Sequence, residues 1–358
     1  MLKTDNPPLV SIVIVNYNGK RYLANCINSV LQTSYPNFEV ILVDNASTDQ
    51  SITDIKETFG SDSRIKIVES PINTGFSGGN NIGFSYSNGE YIAFLNNDTT
   101  VESDWLTHLV NALQNDLSIG LAQSMILTID GEKIQTVGWL YSDYLVLMHG
   151  LAKGKSSSLQ FKSVFEVPVA SGTCMMIRRD LLDAFGLFNP DIPFFYDDTL
   201  LSFKVWLANK KVVTVPASKI RHIGGATDLW NIQFTSYNFL KAKLCLIFDV
   251  YCKPADIAKA LFVNFFSLTV NSVLNLKFRN TAAVFANLRA SVWGLRNTRF
   301  LWKNRVNHWS KTKVSPNYLS KKFAVVNMPV PLYLLPSKLS SDIFNFEADK
   351  YENRIILK

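Results

Sequence analysis

Glu90 to Thr100 reads EYIAFLNNDTT. Tyr91 to Leu95 is a compact apolar run with the length and aromatic–aliphatic content of a buried strand. It stops at Asn96-Asn97-Asp98, so three polar side chains stand at the carboxyl end of that strand. Ligands of open α/β sheets bind in the crevice outside such ends. A lone carboxylate flanked by amides suits a divalent cation that also takes phosphate oxygens and water. The competing reading is a polar strand-to-helix turn in which Asp98 or Ser103 caps a helix from Asp104. The stretch alone leaves both readings open.

Working outward, Val10 to Val15 (VSIVIV) is a second buried run, ending at Asn16-Tyr17-Asn18-Gly19. Glu39 to Val43 (EVILV) is a third, ending at Asp44-Asn45, and Ile65 to Glu69 a fourth. Helical spacing lies between them, in Leu23, Ile27, Val30 and Leu31 and again through Ile52 and Ile55. Strands written as continuous runs, joined by helices and short connections, predict a mostly parallel sheet with helices on both faces. Three of its strands end in Asn or Asp, which makes one sheet edge a candidate site. The Gly-rich stretch from Asn73 to Asn81 is expected to be a loop that lets backbone approach a ligand. It lacks both the GxGxxG of a dinucleotide site and the lysine of a P-loop, so phosphate charge must be met by a metal or by other residues.

Downstream, Ile119 to Met125 predicts another strand, Asp130-Gly131 a hairpin turn, and Leu151 to Lys162 a polar loop. Val167 to Ile177 returns to buried character, broken at Ser171-Gly172. Asp197-Asp198 follows three aromatics, Phe194 to Tyr196, and opens a helix. Acids at a helix start are favoured by the dipole; the functional reading makes one of them a general base kept dry by the rings. Val212 to Val215 predicts a strand closed by Pro216, and His222 precedes two glycines. That histidine alone reads more readily as structural than as a ligand.

In this order the segments resemble glycosyltransferase family 2, inverting enzymes of the GT-A fold. The resemblance is carried by SIVIVNYNG (Ser11 to Gly19), EVILVDNASTD (Glu39 to Asp49), NTGFSGGNNIGF (Asn73 to Phe84), YIAFLNNDT (Tyr91 to Thr99), SGTCMMIRRDLL (Ser171 to Leu182), FFYDD (Phe194 to Asp198) and the HIGG at His222. The forms at Asn45 and Asn96-Asn97-Asp98 are similar to the branch with rhamnosyltransferases and other bacterial cell-surface polysaccharide transferases. The resemblance implies that Tyr17 and Asp44 hold the nucleotide base, and that Asn45, Asn73, Asn80 and Asn97 lie along the donor. It makes Asp98 a ligand of Mg²⁺ or Mn²⁺, with His222 as a second metal or diphosphate contact. Asp198 becomes the catalytic base, with Asp197, Gly172 and Thr173 on the acceptor side. Leu200 and Lys204 depart from the common pattern of a further acid and an arginine, and Asn96 replaces the first acid of the usual metal motif.

The 358 residues carry a net charge of +7, unevenly placed. Residues 231–320 hold 13 Lys or Arg against Asp249 and Asp256, so that segment is +11 and the rest of the chain −4. Ala260 to Leu276 is free of charge, but Asn264, Asn271 and Asn275 interrupt it, which argues against a membrane span. Trp293, Trp302 and Trp309 fall among cations, a combination suited to an anionic headgroup layer. A solvated helical appendage or a homodimer contact is the plainer alternative, and no nucleic-acid module accompanies the charge. Four cysteines without metal-ligand spacing read as free thiols, and the N-terminus shows no apolar signal region.

The expected organisation is a GT-A domain over 1–230, with a nucleotide-sugar part about 8–125 and an acceptor part about 126–230. A basic helical region over 231–320 and an extended tail over 321–358, containing Pro329, Pro331 and Pro336, complete it. The expected function is inverting transfer from dTDP-rhamnose or a UDP-hexose to a lipid-linked glycan acceptor, at the cytoplasmic face of the inner membrane. The rival from another class is a catalytically silent nucleotide-sugar-binding or scaffold subunit.

Overall fold

The computed structural model describes residues 6–161, 164–192, 194–224, 232–277, 281–326 and 337–356. The first part runs β1 (Val10–Asn16), α1 (Leu23–Leu31), β2 (Phe38–Asp44), α2 (Ser51–Phe59), β3 (Ile65–Glu69), α3 (Gly75–Ser85) and β4 (Tyr91–Asn96). Then come β5 (Thr99–Val101), α4 (Trp105–Asn115), β6 (Ile119–Thr128), β7 (Ile134–Thr136), β8 (Trp139–Ser142), β9 (Met148–Gly150) and β10 (Phe165–Glu166). β11 (Cys174–Arg178), α5 (Arg179–Phe185), α6 (Asp197–Leu207) and β12 (Lys211–His222) close this part. The remainder is α7 (Ile232–Val250), α8 (Pro254–Lys277), α9 (Thr281–Arg296), α10 (Thr298–Ser310), α11 (Pro316–Phe323), β13 (Ala324–Val326) and α12 (Ser337–Ile356).

The main sheet has the order β10-β12-β6-β11-β4-β1-β2-β3. β1 pairs in parallel with both β2 and β4, in a register that sets Asn16 beside Asp44 and Val15 beside Asn96. The polar ends of these strands therefore share one edge. β11 runs antiparallel between β4 and β6, with Cys174 opposite Leu95. This reversal returns residues 171–173 to the same edge. The strands read as continuous apolar runs because both faces are covered. On β1, Ile12 and Ile14 join one core with Leu23, Ile27, Trp105 and Leu109, whereas Val13 joins another with Phe94, Phe203 and Trp206.

Three expectations are corrected. The Gly-rich stretch is helical from Gly75 onward, and two glycines of this helix face the sheet: a Cβ on Gly79 would meet Val15 Cγ1 at 2.5 Å and one on Gly83 would meet Val13 Cγ1 at 2.3 Å. These two bring a helix against β1. β12 continues through Pro216 to His222, absorbing the proline at a register shift between Val215 and Lys219. The tail is helical over Ser337–Ile356 where an extended segment was expected. Pro329, Pro331 and Pro336 lie outside the described residues, as do Pro193 and Gly225, and so do the side chains of Asn271 and Asn275. α12 does pack back on the body: Glu352 Oε2 accepts the Ala152 N–H at 2.6 Å and His149 Nδ1 meets Asn345 Oδ1 at 2.9 Å.

Candidate active site

A cleft of about 870 Å³ opens at the polar sheet edge. Tyr17, Asn45, Asn73, Asn97, Asp98, Gly172, Thr173, Asp197 and Asp198 all line it. Asp44, Asn80 and His222 are not among its lining residues. Asp44 Oδ2 accepts the Ser47 N–H at 3.2 Å behind the edge, and buried Asn80 donates to Phe76 O at 2.9 Å within α3. Asn45 organises the turn that leads into α3. Its Oδ1 accepts from Thr74 N at 2.9 Å and its Nδ2 donates to Asn73 Oδ1 at 3.0 Å. Asn97 Nδ2 likewise donates to Asn16 Oδ1 at 2.8 Å.

Asp98 does not cap the following helix, which starts at Trp105 after Asp104. The carboxylate instead faces His222, delivered by the pairing of β12 with β5 that sets His222 beside Thr99. His222 Nε2 lies 3.2 Å from Asp98 Oδ1, and both side chains are largely buried. Behind the ring, Nδ1 meets Gln135 Oε1 at 2.8 Å while Gln135 Nε2 donates to His222 O at 2.7 Å. An amide oxygen only accepts, so Nδ1 carries a proton and Nε2 is the ring atom turned to the carboxylate. At this distance Nε2 and the carboxylate share either a proton or a metal cation. An imidazole fixed through its second nitrogen, next to an aspartate, is the donor set of a divalent-cation site, and the residues present fit Mn²⁺ or Mg²⁺.

Asp198 stands at the first turn of α6. Its Oδ2 accepts the Gly172 N–H at 3.0 Å; its Oδ1 accepts Thr199 N–H at 2.7 Å and the Thr199 hydroxyl at 3.2 Å. Thr199 Oγ1 in turn meets the Tyr141 hydroxyl at 2.7 Å. Burial pushes the Asp198 carboxyl above its ordinary value, against the pull of those N–H groups. Asp197 is raised well above its ordinary value, first by burial and then by the charge of Asp198. The approach to this pair is tight: Phe195 and Tyr196 both adopt positive φ, 67° and 56°. Such backbone is costly for aromatic residues and turns the two acids into the cleft mouth.

Other walls were not visible in the sequence. Trp139, Tyr141 and Met148 come from the β8–β9 hairpin, and Phe234 and Phe239 from α7. The basic C-terminal region thus contributes side chains to the cleft. Leu200 is buried in the core, and Lys204, at the position expected to hold an arginine, donates from Nζ to Gly186 O at 3.3 Å and Leu187 O at 2.5 Å. Both departures act on the packing of α6. Among the described residues, a second group with cation-ligand chemistry, His149, Asp349 and Glu352, sits where α12 docks and is not part of the cleft lining. Lys155 already pairs with Glu352 there.

Residues 11–186 match the family Glycosyl transferase family 2. An uncharacterized glycosyltransferase of Haemophilus influenzae is 37% identical over 147 residues, covering 40% of this chain and 59% of that protein. The Escherichia coli UDP-Glc:alpha-D-GlcNAc-diphosphoundecaprenol beta-1,3-glucosyltransferase WfgD is 29% identical over 238 residues, covering 66% of this chain and 83% of that protein. The chain spans about three fifths of the length of the two Haemophilus relatives it matches. Among solved structures, GalNAc-T7 with UDP, GalNAc and Mn²⁺ superposes with a TM-score of 0.65 at 18% identity, covering 90% of this chain and 57% of that one. S. aureus TarS 1-349 with UDP-GlcNAc gives 0.52 at 17% identity, covering 96% and 91%. The solved structures show the GT-A fold, and residues 11–186 are the part of the chain that matches glycosyltransferase family 2.

Proposed function

We propose that the chain transfers a sugar from a nucleoside-diphosphate sugar to a hydroxyl of a growing bacterial surface polysaccharide, with inversion at the anomeric carbon. The observation that carries this reading is one cleft holding two carboxylates in different settings. Asp98, with His222 behind it, suits a cation; Asp198, held by Gly172 and Thr199, suits a base. Mn²⁺ or Mg²⁺ bound there would neutralise the leaving diphosphate.

The chain's own residues supply the rest. Gln135 fixes the His222 ring so that Nε2 stays available. Asn45 and Asn73 shape the turn along the donor, and Tyr17 at the cleft wall offers a ring for the base. Asp198 keeps a lone pair free beside those engaged by Gly172 and Thr199, and takes the proton of the acceptor hydroxyl as it attacks. The raised Asp198 makes the carboxylate more basic than an exposed one. Asp197 is raised well above its ordinary value by burial and by the charge of Asp198, which favours its neutral form beside the base. Trp139, Phe194 and Phe239 give apolar faces for an acceptor sugar and keep water from the reacting centre.

For the donor, a UDP-hexose is placed ahead of dTDP-rhamnose, because the E. coli relative is named for UDP-Glc and TarS holds UDP-GlcNAc. This choice sets aside the rhamnosyltransferase-like branch as the leading reading. The same relative supports a lipid-diphosphate-linked acceptor and therefore work at the cytoplasmic face of an anionic inner membrane, in O-antigen or capsule assembly. In this reading residues 1–230 carry the donor and base chemistry and 231–320 the membrane-proximal part. The test is incubation with UDP-hexoses, Mn²⁺ and a polyprenyl-diphosphate-linked sugar, with the product linkage read by NMR. A product of inverted anomeric configuration is expected. Transfer with retention, or transfer that survives Asp198→Asn, would contradict the mechanism.

A further inference from the structure

α9 turns its small residues inward and, Trp293 apart, its largest apolar ones outward. Ala283, Ala286, Ala290 and Gly294 are buried, and a Cβ on Gly294 would come within 2.7 Å of Leu244 Cδ1 on α7. The opposite stripe carries Phe285, Leu288, Val292 and Leu295, with Phe285 65% and Leu295 79% exposed. α8 repeats the pattern with Phe262, Phe265 and Phe266 outward, and Trp302 and Val306 extend it onto α10. A helix packed on a globular core shows the reverse polarity. So much exposed large apolar surface on three consecutive helices marks a surface that meets something else.

Charge decides what that is. Residues 257–320 contain ten Lys or Arg and no Asp or Glu. Lys259, Arg289, Arg296, Arg299 and Lys303 are exposed on the same three helices. A second copy docking through this face would set cations against cations. An anionic headgroup layer offers them phosphates while the phenyl rings reach the acyl boundary. No described helix is long and apolar enough to cross a membrane. Asn264, polar in the middle of α8, is buried on the body side, where its Nδ2 donates to Tyr144 O at 2.7 Å and Ala260 O at 2.8 Å. Asn264, the first of the amides that interrupt the apolar stretch, therefore faces protein, and the phenyl rings at 262, 265 and 266 face out.

We propose that α8, α9 and α10 form an interfacial face that lies in the plane of an anionic phospholipid surface without crossing it. α7 joins this face to the chemistry: it packs against α9 and supplies Phe234 and Phe239 to the cleft. Docking would hold the cleft one helix away from the surface that carries a lipid-linked acceptor. For its purpose the proposal rests on that reading of the acceptor; for the binding itself it rests on the exposed side chains.

The test is flotation of the full chain with phosphatidylcholine vesicles, with and without phosphatidylglycerol. Alongside it, the thermal shift given by UDP with Mn²⁺ is read on each variant as a check of fold and site. The wild type is expected to float with phosphatidylglycerol at low salt and to be released by high salt. Replacing Arg289, Arg296 and Arg299 by Gln should weaken partition by about fivefold for each charge removed. Phe265→Ser, Phe285→Ser and Leu295→Ser together should abolish it, with the UDP shift intact. Wild-type protein that stays at the bottom at low salt, or a triple-Ser variant that floats like wild type, would overturn the proposal. A dimer lost in the triple-Ser variant, without flotation of the wild type, would assign the face to a second copy instead. Flotation without any nucleotide shift would count against the transferase reading and leave the membrane face standing.

Discussion

His222 Nε2 faces Asp98 Oδ1 at 3.2 Å, and Gln135 holds the ring from behind through Nδ1. The residue that selects the tautomer is 87 positions away in the chain and touches neither the cleft nor the carboxylate. Gln135→Leu keeps the volume and removes the acceptor, freeing the ring to change tautomer and turn. Metal affinity in the presence of UDP should fall by about 10- to 100-fold. Calorimetric titration with Mn²⁺ reads it, and an unchanged affinity would mean that the ring is oriented by something else.

Asp198 and Asp197 tie activity to pH. With Asp198 raised by burial, the turnover rate should fall as pH drops through a value above that of an ordinary carboxylate. Asp198→Asn should lower the rate by roughly 10²- to 10⁴-fold and leave UDP binding in place. Stability runs the other way. A carboxyl raised in the folded state contributes stability below its unfolded value and loses it as pH rises through the folded value. Asp197→Asn removes one of two acids raised by burial and should therefore raise the melting temperature at neutral pH. A lower melting temperature there would contradict the assignment.

The glycines of α3 test the fold at the site's rear wall. Gly83→Ala puts a methyl 2.3 Å from Val13 Cγ1, inside the packed interface of α3 with β1. Overpacking of this kind costs about 1–3 kcal/mol, readable as a lower denaturant midpoint. Gly154→Ala controls for composition: open space surrounds its Cβ, although its φ of 80° adds backbone strain.

Docking of α12 should depend on pH from two sides. Burial lowers His149, but the Glu352 carboxylate 3.7 Å from Nε2, the Asn345 hydrogen bond and the charge of Asp349 outweigh it, raising His149 from its ordinary 6.5. Burial raises Glu352, but His149, Lys155 and the Ala152 N–H outweigh that and lower it from 4.5. The His149 contribution is full below 6.5 and lost as pH rises through its raised value; the Glu352 contribution is full above 4.5 and lost as pH falls through its lowered value. Hydrogen exchange over Ser337–Ile356, corrected for intrinsic rate, should show greater protection at mildly acidic than at mildly alkaline pH. Equal protection would remove His149 from the latch.

What could be read from the sequence was whatever burial writes into it. β1 to β4 were legible because strands covered on both faces are continuous apolar runs, and their polar ends marked the edge that carries Asp98. The glycines at 79 and 83 were legible as needing close approach, but not as to which partner approaches; the sheet, through Val15 and Val13, was the answer. β12 was cut short at Pro216 because a proline in a strand reads as its end unless a register shift absorbs it. The prolines before residue 337 obscured α12, although the stretch from Ser337 to Ile356 has neither Pro nor Gly. Gln135, Tyr141 and Phe239 carry no local signal. Only the topology brings Tyr141 and Phe239 to the cleft and Gln135 behind His222.

The most direct measurement is a thermal-shift panel of UDP, dTDP, GDP and CMP, each with Mn²⁺ and with EDTA, on the wild type and on Asp98→Asn. A ligand that binds only the folded state raises its melting temperature. The account predicts a shift with UDP that needs Mn²⁺ and is lost in Asp98→Asn. Folded protein that shifts with none of the four nucleotides, or with UDP equally in EDTA, would contradict it.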